Sequence, residues 1–277
     1  MLALGLTMVA IACGDDDAPE ADPQPAPDPQ PPEVRTRVEE RRFAGLDALL
    51  VRPVGSGRFP LLVFVHGAGA PPALYQPLLE DLARAGHVVV APAVPGSVDR
   101  AGFQAALSLP FQPGRIRAVI DAVTRGDQRV RAADADHIAV IGHDLGAMAA
   151  LATGFNTCCQ DTRIDAVVSI AGRLGAFQGI FGNGNVPVLL VHGDADRTVP
   201  IGSSEDAMQQ VGTTGYLLTV LGGDHVDYLG RSAERYPAVL ATIEAFLDAT
   251  VGGDPRGGLV DLRNAGSQPG VRLTSRG

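Results

Sequence analysis

An aspartate flanked by two glycines stands where an apolar strand pattern meets an apolar helix pattern. The segment Ile141–Ala147 reads IGHDLGA, so Asp144 lies two residues after Gly142 and two residues before Gly146. Glycine permits the close backbone approach that a sharp strand-to-helix turn requires. The spacing therefore predicts a carboxylate presented at the tip of such a turn, where it can act as a nucleophile or as a general base.

Two more polar residues follow predicted strands. Asp196 comes shortly after VPVLLVHG, and His225 comes shortly after YLLTVLGG. Because the carboxyl ends of parallel strands meet at one edge of a sheet, we expect Asp144, Asp196 and His225 to converge there. In that arrangement Asp196 would hold the imidazole of His225 in one tautomer, and His225 would act as the base.

The neighbouring polar residues have structural interpretations. Asp194 is an alternative to Asp196 as the acid that orients His225, whereas Asp224 and Asp227 are predicted to cap the loop around His225. His66, His143 and His192 are predicted to pack or to form structural hydrogen bonds, whereas His87 and His137 begin predicted strands and are expected to be surface or packing residues. The glycine-rich segment HGAGA lacks the Gly-Lys-Ser/Thr ending of a phosphate-binding loop.

Composition excludes several kinds of chemistry. The chain contains no lysine, so it cannot form a lysine Schiff base. Cysteine and histidine do not occur at metal-ligand spacing, and we expect neither a metal nor an organic cofactor. The formal net charge of −9 falls to −2 when the seven acidic residues of segment 14–33 are set aside. A folded part so close to neutral does not suggest nucleic acid as a partner.

Short apolar runs alternate with amphipathic stretches from residue 35 to residue 250. The predicted strands are an opening hairpin (35–43 and 46–53) and segments 61–67, 87–96, 137–142, 165–172, 186–193 and 216–223. The predicted helices are segments 75–86, 113–126, 145–154, 203–212 and 235–250. This alternation predicts an α/β fold with a mostly parallel central sheet and helices on both of its faces.

Four segments, taken together, resemble the α/β-hydrolase superfamily over about residues 34–251. They are the glycine-rich loop with the helix and strand that follow it (66–97), the segment IGHDLGA, the acid segment HGDADRTVP and the late loop GGDHVDY. In that superfamily the second segment is the nucleophile elbow, and the chain order of nucleophile, acid and histidine is the one found here. The first segment resembles the capless branch that contains dienelactone-hydrolase-like, PAF-acetylhydrolase-like and cutinase-like polyester hydrolases.

The resemblance implies roles for further residues. The backbone N–H groups of Ala68 and Leu145 are the expected donors of an oxyanion hole. The family spacing favours Asp196 over Asp194 as the acid. Tyr75 has two open interpretations: it lines the substrate pocket, or it is the first buried residue of its helix. Only RLGAFQGIFGNGN separates the sixth and seventh strands, so no large cap domain is expected.

Aspartate at the nucleophile position changes the expected reaction. Attack of a carboxylate on an ester carbonyl would give a mixed anhydride, a high-energy intermediate, whereas attack on saturated carbon gives an ordinary ester. Epoxide hydrolases and haloalkane dehalogenases of this superfamily use such an aspartate. This chain departs from them because it lacks their cap, and it has Leu145 where dehalogenases typically have tryptophan, a residue absent from the whole chain.

Three functional hypotheses follow. Asp144 attacks an epoxide or an alkyl halide covalently in an open site. Alternatively, Asp144 serves as a general base for water in ester hydrolysis. In the third hypothesis the chain is an impaired esterase or lipase-like scaffold that acts as a binding lipoprotein on the cell surface.

The N-terminal segment predicts export and lipid attachment. Residues 1–12 are largely apolar but shorter than the roughly 20 residues that span a bilayer, so they read as a signal segment. Small residues precede Cys13, which resembles a bacterial lipobox, and the acidic, proline-rich segment 14–33 is predicted to be an extended spacer. We therefore expect a protein anchored to the bacterial cell envelope through Cys13.

The rest of the chain adds three expectations. The adjacent Cys158 and Cys159 either form a vicinal disulfide or remain two thiols, and we expect them to be structural. Residues 252–277 lack periodicity and are predicted to be a flexible tail. A small-molecule substrate and a monomeric protein are expected.

Overall fold

A single mixed sheet forms the centre of the protein. The computed structural model describes residues 34–126, 130–182, 185–211 and 214–276, and within them nine strands form one sheet. The strands are β1 (Thr36–Phe43), β2 (Leu46–Pro53), β3 (Phe59–Val65), β4 (Val88–Pro92), β5 (Ala133–His143), β6 (Ala166–Ile170), β7 (Val188–Gly193), β8 (Gly215–Val220) and β9 (Val271–Arg276). The helices are α1 (Gln76–Arg84), α2 (Gly102–Ala106), α3 (Gln112–Thr124), α4 (Leu145–Phe155), α5 (Gly202–Gln210), α6 (Tyr236–Thr250) and α7 (Pro255–Ala265).

The strand order is β1-β2-β4-β3-β5-β6-β7-β8-β9. The six strands from β4 to β8 run parallel, while β1, β2 and β9 pair antiparallel at the two ends. This order and these directions are those of the α/β-hydrolase fold, as the sequence predicts. Parallel strands need long crossovers, and the amphipathic helices between them provide those connections.

Both faces of the sheet are buried, which explains the continuous apolar runs in its strands. In β3, Leu61, Val63 and Val65 belong to one core while Leu62 and Phe64 belong to the other. Helices α2, α3, α4 and α5 contribute to the first core, and α1, α6 and α7 contribute to the second. Full burial of each such side chain stabilises the fold by about 1.5–3 kcal/mol.

The register of the parallel strands brings their carboxyl ends to one level. Val65 is paired with Gly142, His143 with Ile170, and Gly193 with Val220. The segments that follow these strands contain the residues singled out in the sequence. The candidate site must therefore lie at this edge of the sheet.

The C-terminal segment is not a flexible tail, so that prediction was wrong. Helix α7 packs on α6, where a side chain at Gly258 would overlap Ala249, and strand β9 pairs with β8 along six residues. The segment looks irregular in sequence because glycine occurs inside the helix and because only one side of it is buried. The folded domain thus extends beyond residue 251, to Arg276.

No cap covers the sheet edge within the part of the connection between β6 and β7 that the structure describes, because residues 171–182 and 185–187 contain no helix. None of the described helices is both long and apolar enough to cross a membrane. The predicted signal segment 1–13 and spacer 14–33 lie outside the described residues.

Candidate active site

Asp144 occupies a strained turn between β5 and α4. Its backbone angles are φ 51° and ψ −115°, a region that costs a non-glycine residue on the order of 1–3 kcal/mol. The turn is possible because Gly142 and Gly146 have no side chains: a Cβ at Gly142 would overlap Gly146, and one at Gly146 would overlap Val65. The hydrogen bond from Asp144 N–H to the carbonyl of Ile170 (3.0 Å) ties the turn to β6.

The two carboxylate oxygens of Asp144 face different partners. The N–H of Ala68 donates to Oδ2 (3.1 Å), while Oδ1 lies 3.7 Å from Nε2 of His225. The N–H of Leu145 is the first of helix α4, so it has no acceptor within that helix. The side chain of Asp144 is 23% exposed. One oxygen of the carboxylate is therefore hydrogen-bonded, while the side chain as a whole remains partly exposed.

His225 is oriented by Asp196. Nδ1 of His225 lies 2.7 Å from Oδ2 of Asp196, whose side chain is fully buried. The other oxygen, Oδ1, accepts the backbone N–H groups of Thr198 and Val199 at 2.7 and 2.8 Å. Burial alone would raise the pKa of Asp196, but the hydrogen bonds from His225 and from these two N–H groups lower it below its usual value. A charged Asp196 favours the tautomer of neutral His225 with its proton on Nδ1, in which Nε2 is able to accept a proton.

Asp194 does not contact His225. Its Oδ1 accepts the N–H of Gly222 (2.6 Å), so it closes the turn that follows β8. Asp224 and Asp227 cap the histidine loop, since Asp224 accepts the N–H of Val226 and Asp227 accepts the N–H of Asp224. Of the two acids considered from the sequence, Asp196 is therefore the one beside His225.

The glycine-rich loop after β3 is held by His66. Nδ1 of His66 donates to the carbonyl of Gly67 (2.8 Å), and Nε2 accepts the N–H of Val94 (2.9 Å). Burial lowers the pKa of His66, which favours the neutral imidazole that this pair of contacts requires. The loop that carries Ala68 is thereby fixed to the segment after β4.

Tyr75 is buried beside the site, and its contacts favour the structural one of its two interpretations over substrate binding. The side chain is 7% exposed, and its hydroxyl accepts the N–H of Gly67 (3.2 Å) and lies 2.8 Å from Nδ1 of His143. Of the two interpretations open from the sequence, the buried helix residue is the one observed. Burial raises the pKa of Tyr75 to about 12.

The remaining histidines of the motifs are also structural. His192 is buried, with Nε2 donating to the carbonyl of Val199 (2.7 Å) and Nδ1 bound to the hydroxyl of Ser204 (2.7 Å). His143 is buried too, but Nε2 lies 3.1 Å from the carbonyl of His225. The sequence had no signal for this last contact, because 82 residues separate the two histidines.

Away from this edge, Cys158 and Cys159 form a vicinal disulfide in the turn after α4. The sequence had left this pairing open. Among the described residues, no three histidine, cysteine or acidic side chains are grouped as metal ligands would be.

The fold and the strained elbow between β5 and α4 define a hydrolase of the α/β type. A model of the Chlorophyllase family matches residues 33–180, just over half of the chain. The chain therefore belongs to the Chlorophyllase family. The matched region includes Ala68 and Asp144 and ends before Asp196 and His225. No curated protein matches the chain.

Proposed function

We propose that the protein is a hydrolase in which Asp144 attacks a saturated carbon and forms a covalent ester. The observation that carries the proposal is that the two oxygens of the Asp144 carboxylate have different surroundings: Oδ2 accepts the N–H of Ala68, while Oδ1 lies 3.7 Å from Nε2 of His225. An oxygen already held by an oxyanion donor is the one on which negative charge develops when an ester of Asp144 is hydrolysed.

The first half-reaction is a displacement. Oδ1 of Asp144 forms a bond to the substrate carbon, and the bond to the leaving group breaks with its electron pair. The product is an alkyl ester of Asp144 and a free anion. Asp144 loses its negative charge in this step, and the N–H of Ala68 then binds the ester carbonyl oxygen.

The second half-reaction is hydrolysis of that ester. Nε2 of His225 takes a proton from water, and the resulting hydroxide adds to Cγ of Asp144. The negative charge that appears on Oδ2 is stabilised by Ala68 N–H and by Leu145 N–H. Collapse of the tetrahedral centre breaks the bond from Cγ to the alkoxide, which takes the proton from His225 and leaves as an alcohol. Asp196 stabilises the imidazolium in between. The carboxylic acid of Asp144 that remains then releases its proton to solvent, which restores the carboxylate.

Ester hydrolysis with Asp144 as a general base fits the same contacts less well. In that reaction the carbonyl oxygen of the substrate must occupy the oxyanion hole. The N–H of Ala68 is instead bound to Asp144 itself. An ester would therefore have to displace a carboxylate from a charge-assisted hydrogen bond before it could react.

The tyrosines bear on the choice between halide and epoxide. An epoxide oxygen needs a proton as the ring opens, whereas a halide leaves as a stable anion. The hydroxyl of Tyr75 is already bound to Gly67 and His143, Tyr228 is 1% exposed, and Tyr236 donates to Asp81. Tyr216 packs on Phe246 of helix α6. An alkyl halide is therefore the better match to these residues.

The experiment that tests the proposal is a trapping experiment with the His225→Gln variant. Removal of the base should allow alkylation of Asp144 but stop hydrolysis of the ester. After incubation with 1-bromobutane, intact-protein mass spectrometry should show the added mass of one butyl group, and peptide mapping should place it on Asp144. The natural protein should release bromide and 1-butanol in equal amounts.

The double variant Asp144→Asn/His225→Gln is the matched control and should gain no butyl group. Absence of an adduct in His225→Gln, together with absence of bromide release by the natural protein, would sink the covalent mechanism. The impaired esterase scaffold would then become the leading hypothesis.

We further propose that the protein is exported and anchored to a membrane through lipidated Cys13, as the lipobox-like sequence suggests. Metabolic labelling with an alkyne-bearing palmitate should label the natural protein and a Cys158→Ala/Cys159→Ala control. The Cys13→Ala variant should lose the label and leave the membrane fraction. Equal labelling of the Cys13→Ala variant would contradict the anchor.

A further inference from the structure

A buried chain of hydrogen bonds joins three loops beneath the site. It runs from Gly67 in the loop after β3, through the hydroxyl of Tyr75, to the imidazole of His143 at the end of β5. From the other nitrogen of His143 it continues to the backbone carbonyl of His225, after β8. Tyr75 and His143 are 7% and 3% exposed, so water competes little for these bonds.

The donor and acceptor in each of these hydrogen bonds follow from the first donor, the N–H of Gly67. The N–H of Gly67 can only donate, so the hydroxyl of Tyr75 accepts it and has its own proton for Nδ1 of His143. Nδ1 is then an acceptor, and the neutral imidazole of His143 must carry its proton on Nε2. That proton is donated to the carbonyl of His225, which can only accept a hydrogen bond. All four polar groups are satisfied in one arrangement only.

His143 also contacts the ring of His225. The two ring centroids lie 5.0 Å apart with an interplanar angle of 49°, and the centroid of the Tyr75 ring lies 5.7 Å from that of His143. His143 therefore contacts His225 at two places, at its backbone carbonyl and at its imidazole ring.

We propose that Tyr75 and His143 are positioning residues that hold His225 in place for hydrolysis of the Asp144 ester. This inference rests on the proposed function. His225 is needed only in the second half-reaction, because the first requires the Asp144 carboxylate alone. Loosening His225 should consequently slow ester hydrolysis and leave alkylation of Asp144 unchanged, a separation that a general loss of stability would not produce.

The charge state of His143 is compatible with this role. Burial, followed by the charge of neighbouring His225, lowers the pKa of His143 to about 4, although its hydrogen bond to the carbonyl of His225 opposes the shift. His143 thus stays neutral while His225 becomes an imidazolium during catalysis. Two adjacent cations would otherwise repel each other at a separation of 5.0 Å between ring centroids.

The test compares Tyr75→Phe with Tyr236→Phe. Both variants remove one buried tyrosine hydroxyl, but that of Tyr236 donates to Asp81 on helix α1 (2.6 Å), away from His225. With 1-bromobutane as the probe, bromide release in a single turnover should be unchanged in Tyr75→Phe. Release of 1-butanol should slow by about tenfold to 100-fold, so that butyl-enzyme accumulates. Tyr236→Phe should behave like the natural protein in both steps.

Two results would overturn the proposal: equal butanol release by Tyr75→Phe and Tyr236→Phe, or an equal slowing of both half-reactions in Tyr75→Phe. His143→Gln provides a second variant in case Tyr75→Phe does not fold. Its amide retains one acceptor and one donor, so we expect its butanol release to lie between those of Tyr75→Phe and the natural protein. Butanol release as fast as in the natural protein would also count against the proposal.

A readout without substrate separates failure of this inference from failure of the proposed function. Nitrogen NMR of the natural protein should show His143 with its proton on Nε2, and the downfield proton on Nδ1 of His225 should be sharp because Asp196 holds it. In Tyr75→Phe the nitrogen resonance of Nδ1 of His143 should shift because it loses its hydrogen-bond donor, and the Nδ1 proton signal of His225 should broaden, whereas both stay unchanged in Tyr236→Phe. Unchanged spectra in Tyr75→Phe would overturn the proposal even if the natural protein alkylates Asp144.

Discussion

The Asp144→Ser variant is expected to hydrolyse p-nitrophenyl acetate at least about 100-fold faster than the natural protein, because it gains an acyl-transfer nucleophile beside an intact general base. Removal of the carboxylate also frees Ala68 N–H, which Asp144 occupies in the natural protein. The carbonyl oxygen of an ester can then enter the oxyanion hole, and His225 can take the proton of the serine hydroxyl.

The elbow should tolerate this substitution. The positive φ of Asp144 is maintained by Gly142 and Gly146, whose missing side chains allow the turn, and by the hydrogen bond to the carbonyl of Ile170. None of these contacts involves the carboxylate. Serine should therefore adopt the same backbone conformation, and the melting temperature should change little.

Asp144→Asn is the matched control, because it keeps the size of the side chain and an oxygen for Ala68 but has no nucleophile. We expect it to be inactive toward p-nitrophenyl acetate and toward 1-bromobutane. Ester hydrolysis by the natural protein that is lost in Asp144→Ser would contradict covalent attack and favour Asp144 as a general base. If neither the natural protein nor Asp144→Ser hydrolyses the ester, the oxyanion hole, His225 and Asp196 do not act together. That result would favour the hypothesis of an impaired esterase scaffold that acts as a binding lipoprotein.

Replacement of Asp196 by asparagine is expected to have the second large effect. In the Asp144→Ser background, Asp196→Asn should lower the rate of p-nitrophenyl acetate hydrolysis by about 10³-fold to 10⁴-fold. The cause is the tautomer of His225. Oδ1 of residue 196 is held by the N–H groups of Thr198 and Val199, so the amide nitrogen of asparagine must take the place of Oδ2. It would then donate to Nδ1 of His225, which forces the imidazole proton onto Nε2 and removes the base.

Asp194→Asn in the same background is the control, because Asp194 accepts one backbone N–H and does not contact His225. We expect it to change the rate by no more than a few-fold, in line with its exposed position. A larger loss in Asp194→Asn than in Asp196→Asn would reverse the assignment of the acid. Circular dichroism of both variants would show whether either change disrupts the fold.

Most of the fold was predictable because hydrophobic periodicity and turn residues act locally. The predicted helices 145–154 and 235–250 correspond to Leu145–Phe155 and Tyr236–Thr250, and the opening hairpin turns at Ala44 and Gly45 as expected. The short helix α2 was missed, since it has five residues, begins at a glycine and exposes Phe103. Residues 252–277 were wrongly predicted to be a flexible tail because contacts with other elements stabilise α7 and β9. Helix α7 covers Ala249 of α6 and strand β9 pairs with the edge of β8, and neither contact can be inferred from the composition of the segment.

The sequence by itself determined which strands end in reactive side chains. In a parallel sheet those ends gather at one edge, so the convergence of Asp144, Asp196 and His225 follows from the order of the elements and needs no knowledge of their packing. The tertiary structure alone decided that Ala68 binds Oδ2 of Asp144, that Tyr75 is buried beside the site, and that His143 reaches the carbonyl of His225. These contacts join residues far apart in the chain, and a hydrogen bond depends on a few tenths of an ångström and on the direction of a proton. Neither quantity is encoded in a local sequence pattern, because both arise only when the loops at the edge of the sheet pack against one another.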